Sequence, residues 1–164
     1  MRIFVLLLAG MLLNATTSQA GDHGLKDVKG WLDGCVALAP TDGPMASILE
    51  LDCFSAAVRY CEVGRTIEFR DPCRSTLATQ LSNEIAAIRP HLKPAEGMKV
   101  YRQKLFEREL QRLDQDIDTP CPDDVTEIGC ELVHTGLKWL KARSLAKQTD
   151  GGVERLIHDS ATGN

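Results

Sequence analysis

Six cysteines, Cys35, Cys53, Cys61, Cys73, Cys121 and Cys130, constrain this chain more than any other feature. An even number of cysteines in a short chain reads either as disulfides or as metal ligands. The redox compartment decides between the two. Here the N-terminus points to a compartment. Met1-Arg2 is followed by an apolar run from Ile3 to Leu13 and by small residues at Ser18 and Ala20. One early positive charge, a short apolar core and a small-residue end make the pattern of a secretory signal peptide, so residues 1–20 are expected to be removed. The apolar run has 11 residues, whereas crossing a bilayer takes ~20. No cysteine directly follows the run, which disfavours a lipoprotein anchor. The one Asn-x-Thr sequon, Asn14-Ala15-Thr16, lies inside the signal, which favours a periplasmic over a glycosylated address. Export carries the six thiols into an oxidising space, so three disulfides are expected, each contributing ~2–4 kcal/mol by restricting the unfolded chain.

Helix geometry thins the 15 connectivities open to six cysteines. Cys53 and Cys61 are eight residues apart, about 12 Å along a continuous helix, and a disulfide needs Cα atoms within roughly 7 Å. The same argument disfavours Cys121–Cys130 if both are helical. Two schemes remain. In one, Cys61–Cys73 closes the turn between neighbouring helices. In the other, Cys53–Cys130 and Cys61–Cys121 staple two antiparallel helices, with Cys35–Cys73 as the third bond. The second scheme resembles the doubly stapled helical hairpins of the twin CX9C proteins in its physics, although the spacers here are seven and eight residues.

Apolar residues recur at helical spacing along the rest of the chain, and no run alternates as a strand would. A first helix carries Leu25, Val28, Trp31, Leu32, Cys35 and Leu38. Gly30 and Gly34 weaken it by about 1 kcal/mol each and offer room for a neighbouring helix. After the turn residues Pro40 to Pro44, residues 45–63 are apolar on two faces, Leu49-Cys53-Ala56-Tyr60-Val63 and Phe54-Ala57-Val58-Cys61, which predicts a central helix capped by Gly64. Asp71-Pro72 reads as an N-cap and first helical residue, followed by the stripe Cys73, Leu77, Leu81, Ile85, Ile88 and Leu92, ending at Pro90. A fourth helix is expected from Pro94 to Ile117, with Met98, Tyr101, Leu105, Phe106, Leu110, Leu113 and Ile117 inward and Arg102, Lys104, Glu107, Arg108, Glu109, Arg112 and Asp114 on a solvated face. A fifth is expected to start near Pro122, burying Val125, Ile128, Leu132, Val133, Gly136, Trp139 and Leu140. Gly129 and Gly136 give close packing there, and Lys138, Lys141, Arg143 and Lys147 oppose the helix dipole. These elements define an all-α, single disulfide-stapled bundle of about five helices over residues 21–147, followed by a flexible tail, 148–164, in which Val153, Leu156 and Ile157 form at most a short turn.

Chemistry is sparse. The apolar fraction of 43% excludes a disordered chain. The net charge of -4, which becomes -5 without Arg2, disfavours nucleic-acid or anionic-membrane binding. None of His23, His91, His134 and His158 sits in a catalytic motif, and no Cys-x-x-Cys or phosphate loop occurs. No catalytic residue, cofactor or metal is therefore assigned. Cys130 and His134 share a helix face, but an exported cysteine is expected in a disulfide with the histidine packed beside it. Asp114-x-Asp116-x-Asp118 opens like a calcium loop but has Thr119 and Val125 where glycine and glutamate are required. Together with Asp123, Asp124 and Glu127 it forms an acidic turn that suits a basic protein partner. The expected function is that of an exported, non-enzymatic protein that binds another protein, of inhibitor, immunity or assembly-factor type. The alternative is an exported enzyme or a redox or metal accessory whose site is assembled only in the fold.

Overall fold

The computed structural model describes residues 20–40, 43–115, 117, 120, 121 and 125–152, with side chains from 28 onward, Pro44 excepted. The expected signal segment lies outside them except for Ala20, as does the expected turn at Val153, Leu156 and Ile157. All regular structure among the described residues is helical: α1 (Ala20–Ala37), α2 (Pro44–Glu62), α3 (Ile67–Ile88) with a 3₁₀ turn Arg89–His91, α4 (Val100–Leu113) and α5 (Glu127–Ala146). The all-α, disulfide-stapled bundle read from the sequence is the observed fold.

The bonds are Cys35–Cys53, Cys61–Cys73 and Cys121–Cys130, with Cα–Cα distances of 5.8, 5.5 and 5.8 Å. Cys61–Cys73 closes the α2–α3 turn, as in the first scheme, and the cross-hairpin scheme is not formed. Cys121 lies in the α4–α5 connection rather than on a helix, so the helix-rise objection to its pairing with Cys130 does not apply. The first two bonds tie α1 to α2 and α2 to α3. The third is local to the start of α5, so α5 is joined to the stapled three-helix unit without covalent help.

That joining is done by α3 and α5, the most extensively packed pair. A core of Val28, Leu32, Phe54, Ala57, Cys61, Cys73, Leu77, Leu81, Leu132 and Trp139 lies among α1, α2, α3 and α5. A second, formed by Ile88, Leu92, Phe106, Leu113, Ala142, Leu145 and Ala146, lies among the end of α3, α4 and the end of α5. At the α2–α5 crossing the tip of the Phe54 ring is directed at Gly136: a Cβ there would stand 2.1 Å from Phe54 Cζ. The close approach expected of Gly136 is thus real. Gly30 and Gly34, by contrast, face open space, with no atom within 4 Å of an added Cβ.

Several boundaries differ from expectation for identifiable reasons. α3 begins at Ile67, a full turn before Asp71, and Pro72 lies inside it. Proline forfeits one hydrogen bond there. The extra turn is held by Phe69, edge-on to Tyr60 at 6.4 Å, with the Arg65 guanidinium over both rings. Asp71 pairs with Arg74 instead of capping. At its far end α3 stops where Pro90 was expected to stop it. α4 is shorter than Pro94–Ile117 because residues 94–99 turn through Gly97, whose φ is +77°, and are fastened to the end of α5. Ala95 N donates to Gln148 O (3.3 Å) and Glu96 N to Asp150 (3.0 Å). Residues 148–150 of the expected tail are therefore tied down. Of the α4 stripe, Phe106 and Leu113 are buried, whereas Tyr101 and Leu105 are exposed, as are Trp31, Leu38, Val63 and Val133 elsewhere. α5 starts at Glu127, with the Thr126 hydroxyl accepting from Gly129 N at 3.2 Å. Pro122 therefore does not open this helix, and its own placement lies outside the described residues.

Candidate functional site

The start of α5 is set by a buried arginine. Arg74 donates from Nε to Glu62 (2.8 Å) and from Nη1 to the Thr126 hydroxyl (2.9 Å) and to Asp71 (3.3 Å). Thr126 is thereby held from both sides, since its oxygen also caps the helix. Downstream of this anchor, Glu127, Glu131, Thr135 and Lys138 recur at steps of four, four and three. That spacing keeps them on one face of α5. With Ile117 and Cys121 of the incoming connection they line an open groove of about 560 Å³, and Cys130 and His134 complete it. Glu127 and Glu131 are exposed, and His134 is half-buried.

The disulfide pins the connection against α5 at this groove. His134 stands one turn beyond Cys130, with Nε2 3.7 Å and Nδ1 4.0 Å from its sulfur. Cys130 is thus disulfide-bonded with the histidine beside it, as expected, and among the described residues no cysteine is a free thiol.

The acidic turn is only partly brought together. Glu127 lines the groove. Asp114 instead closes α4 and is held by Arg89, which donates from Nε at 2.9 Å and also from Nη2. That contact keeps the Asp114 carboxyl below its ordinary range and the Arg89 guanidinium above its own. Asp116, Asp118, Asp123 and Asp124 lie outside the described residues. Glu109, read as part of a solvated face, pairs within α4 with Arg112 (2.8 Å) and across to α5 with Lys141 (2.6 Å). The hydrogen bond from Lys141, aided by the Lys141, Arg112 and Arg108 charges, lowers its pKa.

A buried charge cluster between α2, α3 and α5 was not foreseen. Arg143, expected toward the C-terminal end of α5 for its positive charge, is only 7% exposed, and Glu50 only 2%. Arg143 Nε donates to Glu50 at 2.8 Å, Nη1 donates to Glu84, and Lys147 donates to Glu50's other oxygen. The guanidinium also lies 5.2 Å from the Trp139 ring centre. A signal was available in the spacing. Leu132, Gly136, Trp139 and Arg143 step by four, three and four, which puts the charge in phase with the apolar stripe. Glu50 is likewise in phase with Ala46, Phe54, Ala57 and Cys61. Two acids facing two bases neutralise one another, so this cluster locks three helices together and opens no site. Gln80 does the same for α1, donating to Asp33 at 2.7 Å.

Comparison of the chain with protein-family models, with curated proteins and with solved structures finds no match. The groove must therefore be read on its own chemistry.

Proposed function

We propose that this protein is an exported, non-enzymatic helical module that binds a basic segment of a partner protein along the α5 groove. One observation carries the reading: the groove presents Glu127 and Glu131, both exposed, on a helix start that Arg74 and a disulfide hold rigid. A preordered surface loses little conformational freedom on binding, and two acids against one base, Lys138, leave the groove's lining net acidic, which favours a basic partner. In sequence, Asp116, Asp118, Asp123 and Asp124, between α4 and α5, carry the same sign. Export is supported by three disulfides, with no described helix long and apolar enough to cross a membrane.

The test is affinity capture from the exported fraction at physiological salt, comparing the native chain with the Glu127→Lys/Glu131→Lys variant. The expected result is a partner retained by the native chain, released as salt rises and not captured by the variant. Absence of any partner at physiological salt, or equal capture by both proteins, overturns the reading.

A further inference from the structure

The three disulfides differ in access. Cys61 and Cys73 are completely buried and Cys53 nearly so, with Cys35 half-buried. Only Cys121–Cys130 has an exposed member, and it faces an open groove. A dithiol reductant must reach one sulfur in line to exchange with it, so this bond is the most accessible to reduction.

Cys121 Sγ, Cys130 Sγ and a ring nitrogen of His134 lie within 4.8 Å of one another. We propose that reduction of Cys121–Cys130 converts this corner of the groove into a site for a thiophilic divalent cation, zinc first, with Cys121, Cys130 and His134 as ligands. The reading is independent of partner binding. In the reduction, a dithiol is oxidised to its own disulfide while the Cys121–Cys130 bond takes two electrons and two protons. On binding, the two thiols release two protons, and two sulfur–metal bonds and one nitrogen–metal bond form. Two Zn–S bonds of about 2.3 Å at a tetrahedral angle place the sulfurs about 3.8 Å apart. The two sulfurs, bonded in the disulfide, must separate to that distance on reduction, whereas His134 Nε2 already stands 3.7 Å from Cys130 Sγ. Cys130 and His134 are set by four residues of helix, so the adjustment falls on Cys121, which belongs to no helix. Two thiolates and an imidazole suit zinc better than magnesium or calcium, and three protein ligands leave a fourth position open to the groove.

The experiment uses the full chain with its disulfides formed, a limiting phosphine reductant and Co²⁺ as the spectroscopic probe. Alkylation and peptide mass mapping identify which thiols open first. The expected result is labelling at Cys121 and Cys130 before any other pair. One equivalent of Co²⁺ then gives thiolate charge-transfer and tetrahedral d–d bands, is displaced by Zn²⁺ and protects both thiols from alkylation. The oxidised protein should show none of this. The His134→Ala variant should bind Co²⁺ at least about tenfold more weakly, because even outer partners of a ligand are worth that much. The Cys121→Ser/Cys130→Ser variant, with its fold checked by circular dichroism, should not bind. Prior opening of another disulfide, Co²⁺ bands in the oxidised protein, reduced Cys121 and Cys130 without bands, or unchanged affinity in His134→Ala overturns the proposal.

Discussion

Alanine in place of glycine is expected to have opposite signs at two positions of this bundle. At Gly136 the new Cβ stands 2.1 Å from Phe54 Cζ and 2.5 and 2.6 Å from two further ring atoms, against an ordinary contact of 3.4–4 Å. The ring or the helix must retreat by more than 1 Å. Retreat is resisted because Phe54 also packs on Trp139 at 6.4 Å and α5 is held to α2 by Arg143 and Glu50. Overpacking of this kind costs about 3 kcal/mol, at the upper end of its usual span. The helix-propensity gain of alanine returns about 1, leaving a net loss of about 2 kcal/mol. At Gly30 nothing lies within 4 Å of the added atom, so only the gain of about 1 kcal/mol remains. For a chain of this length that means a Tm lower by about 4–8 °C for Gly136→Ala and higher by about 2–4 °C for Gly30→Ala. Thermal unfolding followed by circular dichroism, with disulfides intact, measures both. Phe54→Leu, which removes the outer ring atoms, should recover part of the Gly136→Ala loss in a double-mutant cycle. A Gly136→Ala protein as stable as the native one would refute the contact-based reasoning.

Other outcomes follow from the same structure. Glu50→Ala leaves Arg143 and Lys147 without their shared carboxylate and should destabilise by about 3–5 kcal/mol, whereas Glu107→Ala, on the exposed face of α4, should stay within about 0.5; denaturant midpoints compare them. Cys61→Ser/Cys73→Ser opens a loop with a sequence separation of 12, closed by two buried cysteines, and should cost about 3 kcal/mol from chain entropy, with more from the buried hydroxyls. Glu109 and Asp114 have pKa values lowered from 4.5 and 3.8. Their contribution is complete above those values and is lost as pH falls through the lower folded ones. Glu109→Gln/Asp114→Asn should therefore lower stability near pH 7, by a fraction of a kcal/mol because both groups face solvent, and the difference from the native chain should vanish as pH falls below about 4, flattening the acid limb of the stability–pH profile.

Much of the fold was legible because its elements are amphipathic. Of the stripe Cys73, Leu77, Leu81, Ile85, Ile88 and Leu92, all are buried but Ile85, which is partly so, and Pro90 and Gly64 end helices as their backbone chemistry requires. Local rules misled where tertiary contacts outweighed them. The Tyr60–Phe69–Arg65 stack extends α3 past a proline, and the clasp between Ala95 and Gln148 shortens α4. The charge cluster escaped because Arg143 was weighed by charge rather than by phase. The disulfide at the groove was disfavoured only on the condition that both its cysteines were helical, and Cys121 lies outside any helix. The groove itself was half-visible: Glu127 and the Cys130–His134 pair were in hand, but the stripe Glu131–Thr135–Lys138 needs the helix start at Glu127, which the proline at 122 obscured.

The order of the disulfides has a consequence for biogenesis. Each bond joins a cysteine to the next one along the chain, first with second, third with fourth, fifth with sixth. If the chain is exported as proposed, an oxidase acting on thiols in the order in which they arrive reaches the native pairing without any exchange step. Maturation should therefore proceed at the same yield in cells lacking disulfide isomerase, and fail only where oxidation itself is withheld.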